Sequence, residues 1–223
     1  VRDGLEVPTN AGGFYHTSTD TAYMYQQPTR YYTRQLVLHE AIHQFHYRAR
    51  LHEHSVPGWY VEGHAKHLSH YDWDGDCLRL GRLPLISQND LPARALDQPI
   101  NLRERFASSG SSSRPLEWAI FRYFEQAEDG AFAARWAAFR RAMDGGGTDA
   151  LAEFELAFGE PAESFDDRLT AWIATAQQPM TPVYSQWSHV ASDAADGWAD
   201  VFSIARIKEP VRRFSVRFAA PRV

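Results

Sequence analysis

Apolar side chains recur at helical spacing from about residue 29 to residue 51, with neither Gly nor Pro between them. The positions are Leu36, Val37, Ile42, Phe45 and Ala49. This pattern predicts one long helix that buries only part of its surface. The sequence HSVPGW then interrupts the pattern, where Ser55 can cap a second helix and Pro57 can occupy its first turn. We expect that second helix to end near His70.

Strand patterns flank the two helices. Residues 12–25 contain a Gly-Gly pair, a Ser-Thr-Asp turn and the segment TAYMY, which predicts a β-hairpin or two short strands. After the second helix, DWDGDCLRLGRLPLI predicts a hairpin around Gly81. Near the C-terminus VFSIARI and RRFSVRFAAP alternate apolar and polar residues. Two interpretations remain open there: an edge of the main fold, or the beginning of a truncated β domain.

Between residues 115 and 176 the spacing of apolar residues predicts three or four helices, which DGGGT and FGEP separate. Trp59, Trp118 and Phe121 are expected in the core. We therefore predict one α+β domain over residues 1–180, in which a small N-terminal antiparallel sheet lies over the first helix and a mostly helical half follows. Its sheet and first two helices would occupy residues 1–70, its helical subdomain residues 115–176, and a partly β extension residues 181–223.

The composition argues mainly against two kinds of surroundings, a nucleic acid partner and a membrane-spanning helix. The 223 residues are 44% hydrophobic and 13% aromatic, which is typical of a folded globular protein. A net charge of -5 argues against a nucleic acid partner, because no basic face is available for a phosphate backbone. No apolar run reaches the roughly 18 residues of a membrane-spanning helix. Cys77 is the single cysteine and excludes an internal disulfide, while the compartment and the oligomeric state stay open.

Six histidines and three glutamates lie within residues 38–65. His39 and His43 are four residues apart, so on a helix both imidazoles leave the same face and can bind one ion. Glu40 is rotated by about 100° from His39, near enough to contact a water on the same metal without binding it. A hydrolytic zinc site needs a third protein ligand and an open position for water. Glu62 follows His43 by 19 residues on the second helix and is the candidate.

Less specific interpretations of the same residues also exist. His39, Glu40, His43 and Glu62 can form the solvated face of a helix, or they can bind zinc without catalysing a reaction. The other histidines of the segment are typical of surface positions. His46 and His64 are exceptions, because they flank the proposed ligands and are candidates to line a cleft.

The motif HEAIH, followed by eighteen residues and then by Glu62 within PGWYVEGHA, resembles the gluzincin clan of zinc peptidases. The segment around Glu62 is similar to that of aminopeptidase N relatives, and the helical continuation resembles small bacterial peptidase-MA-like domains of undefined substrate. The resemblance covers about residues 12–176, and only residues 39–65 are specific. It implies a zincin-like fold in which His39, His43 and Glu62 bind one Zn²⁺, Glu40 is the general base, and the substrate is a peptide or protein.

The sequence departs from that clan at several positions. Relatives often have a Tyr ahead of the helix that begins near Pro115, where this chain has Ser113 and Arg114. Three alternatives remain for stabilising the oxyanion: Arg114 as a cation, Tyr123 from one turn deeper in the helix, or a serine-rich loop that becomes ordered when substrate binds. Lys66 also stands one turn after Glu62, where some gluzincins have an acidic residue.

Substrate contacts can be predicted only in outline. In the clan an edge strand above the metal pairs with the peptide backbone, and GGFY or TAYMY is the candidate segment here. The Gly-x-Met-Glu-Asn motif of the aminopeptidases is absent, so an endopeptidase is favoured over an aminopeptidase. The alternative function is a noncatalytic module that binds peptide or polymer on a degenerate metallopeptidase fold.

Overall fold

The computed structural model describes residues 12–25, 27, 30–51, 56–73, 76–81, 90–111, 113–176 and 212–214. In these ranges the chain is α+β, with a small antiparallel sheet near the N-terminus and a mostly helical remainder. The predicted α+β class is thereby confirmed. Among the helices in these ranges, none is both long enough and apolar enough to cross a membrane.

The elements follow in chain order. The strands are β1 (Gly13–His16), β2 (Thr21–Met24), β3 (Tyr71–Trp73), β4 (Leu78–Leu80) and β5 (Arg212–Phe214). The α-helices are α1 (Arg30–His46), α2 (Gly58–Ser69), α3 (Asp90–Ala95), α4 (Leu102–Ala107), α5 (Arg114–Gln126), α6 (Ala133–Asp144), α7 (Ala150–Phe158) and α8 (Asp166–Ala176). A π-helical turn, Tyr47–Leu51, continues α1, so the predicted long helix is present.

The predicted N-terminal hairpin is confirmed. Strands β1 and β2 pair antiparallel from Gly13 opposite Met24 to His16 opposite Thr21. Asp20 turns the chain between them in the left-handed region, at φ 49°. Strand β5 pairs antiparallel with the other side of β2, so RRF joins the N-terminal sheet, whereas VFSIARI lies outside the described residues. In the sheet order β1-β2-β5, β1 is an edge strand.

The described hairpin has its turn ahead of Gly81, and the return strand of a hairpin around Gly81 would fall on residues 82–89, outside the described residues. Tyr71 pairs with Leu80 and Trp73 pairs with Leu78, which places the reversal between Trp73 and Leu78. The Asp-Gly pair at 74–75 in the sequence is the stronger turn signal, since Asp and Gly both favour tight turns. Gly81 follows β4 at φ 70°, a backbone conformation that favours glycine.

Helix α2 begins directly after Pro57, which is its N-cap and lies two positions after the proposed cap Ser55. Its first two amides are capped by the serine-rich loop, because Gly58 N–H donates to the Ser109 carbonyl over 2.7 Å and Trp59 N–H to the Gly110 carbonyl over 3.2 Å. The proposed cap Ser55 lies outside the described residues. This loop therefore fixes the start of the helix that carries Glu62.

The core is aromatic and joins α2 to the helical half. Trp59, Trp118 and Phe121 are buried as predicted. Helix α2 packs against both α1 and α5. Helix α2 lies very close to α5 at Gly63, where a Cβ would lie 2.8 Å from the Phe121 ring, so only glycine allows this contact. Close packing on both sides fixes α2 between the helix that carries the two candidate His ligands and the helix that begins with Arg114.

Candidate metal centre

His39 and His43 on α1 and Glu62 on α2 form one compact group, called here the ligand cluster. The two imidazole Nε2 atoms are 3.1 Å apart. Glu62 Oε2 lies 3.3 Å from His39 Nε2, and its Oε1 lies 3.6 Å from His43 Nε2. In a tetrahedral site with bonds of about 2.0–2.1 Å, neighbouring ligand atoms are about 3.3 Å apart. The three side chains can therefore hold a metal ion.

The ionisation states of His43 and Glu62 favour the binding of a cation. Burial, together with the neighbouring His39, lowers the pKa of His43 to about 3, so its imidazole is neutral. Burial by itself would raise the pKa of Glu62, but the contacts with His39, His43 and Arg114 lower it to about 2. A neutral imidazole and an ionised carboxylate are the forms that bind metal ions.

Glu40 is the next residue along α1 and is almost fully buried. Strand β1 passes directly over it, because a Cβ on Gly13 would lie 3.2 Å from Glu40 Oε1. Burial first, and then the charge of Glu62, raise the pKa of Glu40 to about 7, against the opposing effects of Arg114 and the Tyr15 backbone N–H. Its Oε2 is buried and has no hydrogen-bond partner among the described residues. Glu40 can thus exchange a proton near neutral pH.

A groove of about 560 Å³, called here the main groove, runs over the ligand cluster and Glu40. Its other walls come from β1, α1, the π-helical turn, α2 and the start of α5: Gly12, Gly13, Phe14, Tyr15, Thr17, Leu36, Tyr47, Leu51, Val56, Val61 and Arg114. Of the two candidate segments for pairing with a peptide, GGFY forms the edge strand that lines the groove, whereas TAYMY lies in the middle of the sheet.

Arg114 lies at the ligand cluster. Its Nε is 3.2 Å from Glu62 Oε2, and its side chain is 61% exposed. From the sequence, Arg114 is expected just ahead of the helix that begins near Pro115, and the structure places it at the first position of that helix, α5. A guanidinium therefore stands in the main groove, close to the position of a bound metal ion.

Tyr123 does not reach the site, so that expectation is wrong. It follows Arg114 by nine residues, which turns its side chain by about 900°, or half a turn, to the opposite face of α5. There it is 1% exposed, and its ring lies 5.6 Å from the rings of both Phe132 and Trp172. It belongs to the aromatic core.

His46 and His64 are buried behind the ligand cluster, and neither lines the main groove. His46 Nε2 lies 2.9 Å from Asp144 Oδ1, which also accepts a hydrogen bond of 2.8 Å from the Tyr60 hydroxyl. His64 Nε2 lies 3.0 Å from Arg140 Nη2. The sequence gave no local signal for Asp144, because it is 98 residues from His46 and only packing brings α6 to α1.

Comparisons with protein-family models, with curated proteins and with solved structures found no match to this chain. The resemblance to gluzincins therefore depends on residues 39–65 alone.

Proposed function

We propose that this protein is a zinc-dependent hydrolase of peptide bonds with a zincin-like active site. The observation that carries the proposal is the ligand cluster, whose donor atoms have tetrahedral spacing and share one groove with a proton-exchanging Glu40. Two neutral imidazoles and one carboxylate are a typical donor set of catalytic zinc. When bound, zinc would polarise the peptide carbonyl and make a water molecule more acidic.

Glu40 is the general base in this proposal. Its carboxylate lies in the same groove as the ligand cluster, where it can accept a proton from the attacking water and return it to the leaving amine. The carboxyl group contacts the β1 backbone, which holds it at the floor of the main groove. Exclusion of water by β1 and α1 keeps the pKa of this group high.

Arg114 is the oxyanion stabiliser in this proposal. Charge develops on the carbonyl oxygen during attack, and a nearby guanidinium stabilises that charge more strongly in a partly dry groove than in water. Its contact with Glu62 places it beside the ligand cluster before substrate arrives. Arg114 would thereby take the role that the tyrosine has in relatives.

The shape of the main groove favours an endopeptidase. Its lining residues extend along α1 and the π-helical turn from Leu36 to Leu51. At about 1.5 Å per residue this is about 20 Å, enough for roughly six residues of an extended peptide. His39 and His43 lie inside this span rather than at one end, so a peptide would continue past the metal in both directions. Among the described strands none pairs with the outer edge of β1, so this edge can supply backbone groups for pairing.

The Glu40→Gln variant tests the proposal. The purified, zinc-reconstituted wild type should contain one zinc per chain and cleave members of a diverse peptide library. Glu40→Gln should keep the zinc and lose about 100-fold or more of kcat, the usual contribution of a general base. Glu153→Gln on α7 is the matched control and should retain both properties. Unchanged turnover in Glu40→Gln would remove Glu40 from the mechanism, and well under one zinc per chain would overturn the proposal.

A noncatalytic binding module is the second candidate. The residues ahead of α5 favour it, because this chain has Ser113 and Arg114 where relatives often have a tyrosine. A binding assay and a cleavage assay on one peptide pool separate the two candidates. Capture of peptides by the zinc-loaded wild type without any cleavage would favour the module.

A further inference from the structure

The main groove continues past His39 into a second space of about 140 Å³, called here the side cavity. Leu36, His39 and Arg114 line both, so the two spaces meet at the ligand cluster. The remaining walls of the side cavity are Gln27, Tyr32, Gln35, Lys66 and Ser69. A substrate that crosses the metal position therefore meets two different surroundings, one on each side.

The far end of the main groove is apolar. Beyond His43 it is lined by Tyr47 and Leu51 of the π-helical turn, by Val56 just ahead of α2, and by Val61 in the first turn of α2. None of these side chains carries a charge, and Leu51 is buried. An apolar side chain of a substrate would be stabilised here in proportion to the apolar surface that it buries.

The side cavity is cationic. Lys66 and Arg114 are its charged residues, and among the described residues no carboxylate lines it. Gln35 is held in place because its Nε2 donates to His70 Nε2 over 3.1 Å, while His70 Nδ1–H donates to the Lys66 carbonyl over 2.7 Å. Arg114 contacts Glu62, so Lys66 is the cation that, beside these fixed polar groups, complements an acidic side chain, and the volume suits one such side chain.

The direction of a bound peptide follows from the way β1 lies on α1. A Cβ on Gly12 would lie 3.5 Å from Leu36 Cδ2, and the Tyr15 ring lies 6.0 Å from the Tyr47 ring. Strand β1 therefore runs in the same direction as α1. Antiparallel pairing is slightly more stable than parallel pairing, so a peptide on the free edge of β1 runs from the Tyr47 end toward the Leu36 end.

We propose that this site selects peptides with an apolar side chain before the cleaved bond and an acidic side chain after it. Substrate residues on the N-terminal side of the cleaved bond face the apolar end of the main groove beyond His43. The substrate residue on its C-terminal side enters the side cavity beside Lys66. The inference depends on the proposed function for the position of the bond, but the preference itself is a property of binding.

Binding to zinc-loaded Glu40→Gln protein tests the preference without any turnover. The probes are fluorescein-labelled octapeptides that differ only in their two central residues: Leu-Asp, its neutral isostere Leu-Asn, and the reversed Asp-Leu. Fluorescence anisotropy should give a Kd about tenfold lower for Leu-Asp than for either of the others, as one charge-assisted hydrogen bond provides. Equal Kd values for Leu-Asp and Leu-Asn, or no binding of Leu-Asp, would overturn the inference. Tighter binding of Asp-Leu would overturn the assigned direction.

Variants of Lys66, made in the Glu40→Gln protein, test whether this residue produces the preference for Leu-Asp. Lys66→Met should remove the advantage of Leu-Asp over Leu-Asn, and Lys66→Arg should restore it. Arg141→Met on α6 removes an exposed cation that lines neither cavity and should leave the advantage unchanged. Zinc content, measured for each variant, shows that the ligand cluster is intact. An advantage that persists in Lys66→Met would contradict the role of this residue.

Cleavage by the zinc-loaded wild type then separates this inference from the proposed function. Cleavage of all three peptides at one rate would overturn the selectivity and keep the hydrolase. A tenfold preference in binding with no cleavage of any peptide would overturn the hydrolase and keep the selectivity. Preferred cleavage between Leu and Asp supports both.

Discussion

Arg114 Nε lies 3.2 Å from Glu62 Oε2, so the first residue of α5 contacts the carboxylate that α2 contributes to the ligand cluster. The same oxygen is 3.3 Å from His39 Nε2 on α1. The helices α1, α2 and α5 therefore meet at one carboxylate. This arrangement keeps Glu62 ionised, and it joins the ligand cluster to the helical half of the protein.

Zinc should stabilise the fold through the ligand cluster. A ligand that binds only the folded state at about 1,000 times its Kd contributes about 4 kcal/mol to the free energy of unfolding. We expect a chelator to lower the Tm of the zinc-loaded protein, and added zinc to restore it, in differential scanning fluorimetry.

His43→Ala should abolish this response of Tm to zinc, because only two donors of the cluster remain. His16→Ala, which removes a histidine of β1 that is outside the cluster, is the control and should respond like the wild type. A zinc-dependent rise of Tm in His43→Ala that equals the wild-type rise would contradict the assignment.

Arg114→Met should lower kcat about 100-fold on a peptide without acidic residues, since a lost oxyanion donor usually costs this much. The neutral peptide is chosen because Arg114 also lines the side cavity. KM should change little, and Arg114→Lys should recover part of kcat. A rise of KM at constant kcat would show that Arg114 only binds substrate.

Asp144→Ala should destabilise the protein by about 2–4 kcal/mol, because it leaves two buried polar groups without their partner. These groups are His46 and the Tyr60 hydroxyl, which both contact Asp144 Oδ1. Urea unfolding measures the change. Asp167→Ala on α8, an exposed position, is the control and should change stability by less than about 0.5 kcal/mol. Equal effects of the two substitutions would contradict the role of Asp144.

Glu125 should give the protein stability that is lost in acid. Burial alone would raise the pKa of Glu125, but its contacts with His67 and Arg140, each 2.9 Å long, hold it below the usual range. Because its pKa is lower in the folded state, Glu125 contributes stability above its unfolded pKa of about 4.3, and this stability disappears as pH falls through the folded value.

Glu125→Gln should therefore be less stable than the wild type at pH 7, and the difference should shrink as pH falls below about 4. Urea unfolding of metal-free protein between pH 7 and pH 3 measures this convergence. A difference that stays constant with pH would show that Glu125 acts through packing rather than charge.

The helices and the chemistry on α1 could be predicted from the sequence. The hydrogen-bond repeat of an α-helix places residues four apart on one face, so the convergence of His39 and His43 follows from their spacing alone. The Pro-Gly break predicted a second helix, and with it a route for Glu62 back to the first. The chain reversal between Trp73 and Leu78 also agrees with a local signal, the Asp-Gly pair at 74–75 in the sequence.

The tertiary structure decided every relationship between helices. Only the packing of α5 on α2 shows that Arg114 faces the ligand cluster while Tyr123 faces the core, and only the tertiary structure brings Asp144 on α6 to His46 on α1. Sequence spacing fixes directions within one helix, because backbone hydrogen bonds are local. The meeting of two helices depends instead on how their side chains fill the space between them, as at Gly63 against Phe121, which no local pattern encodes.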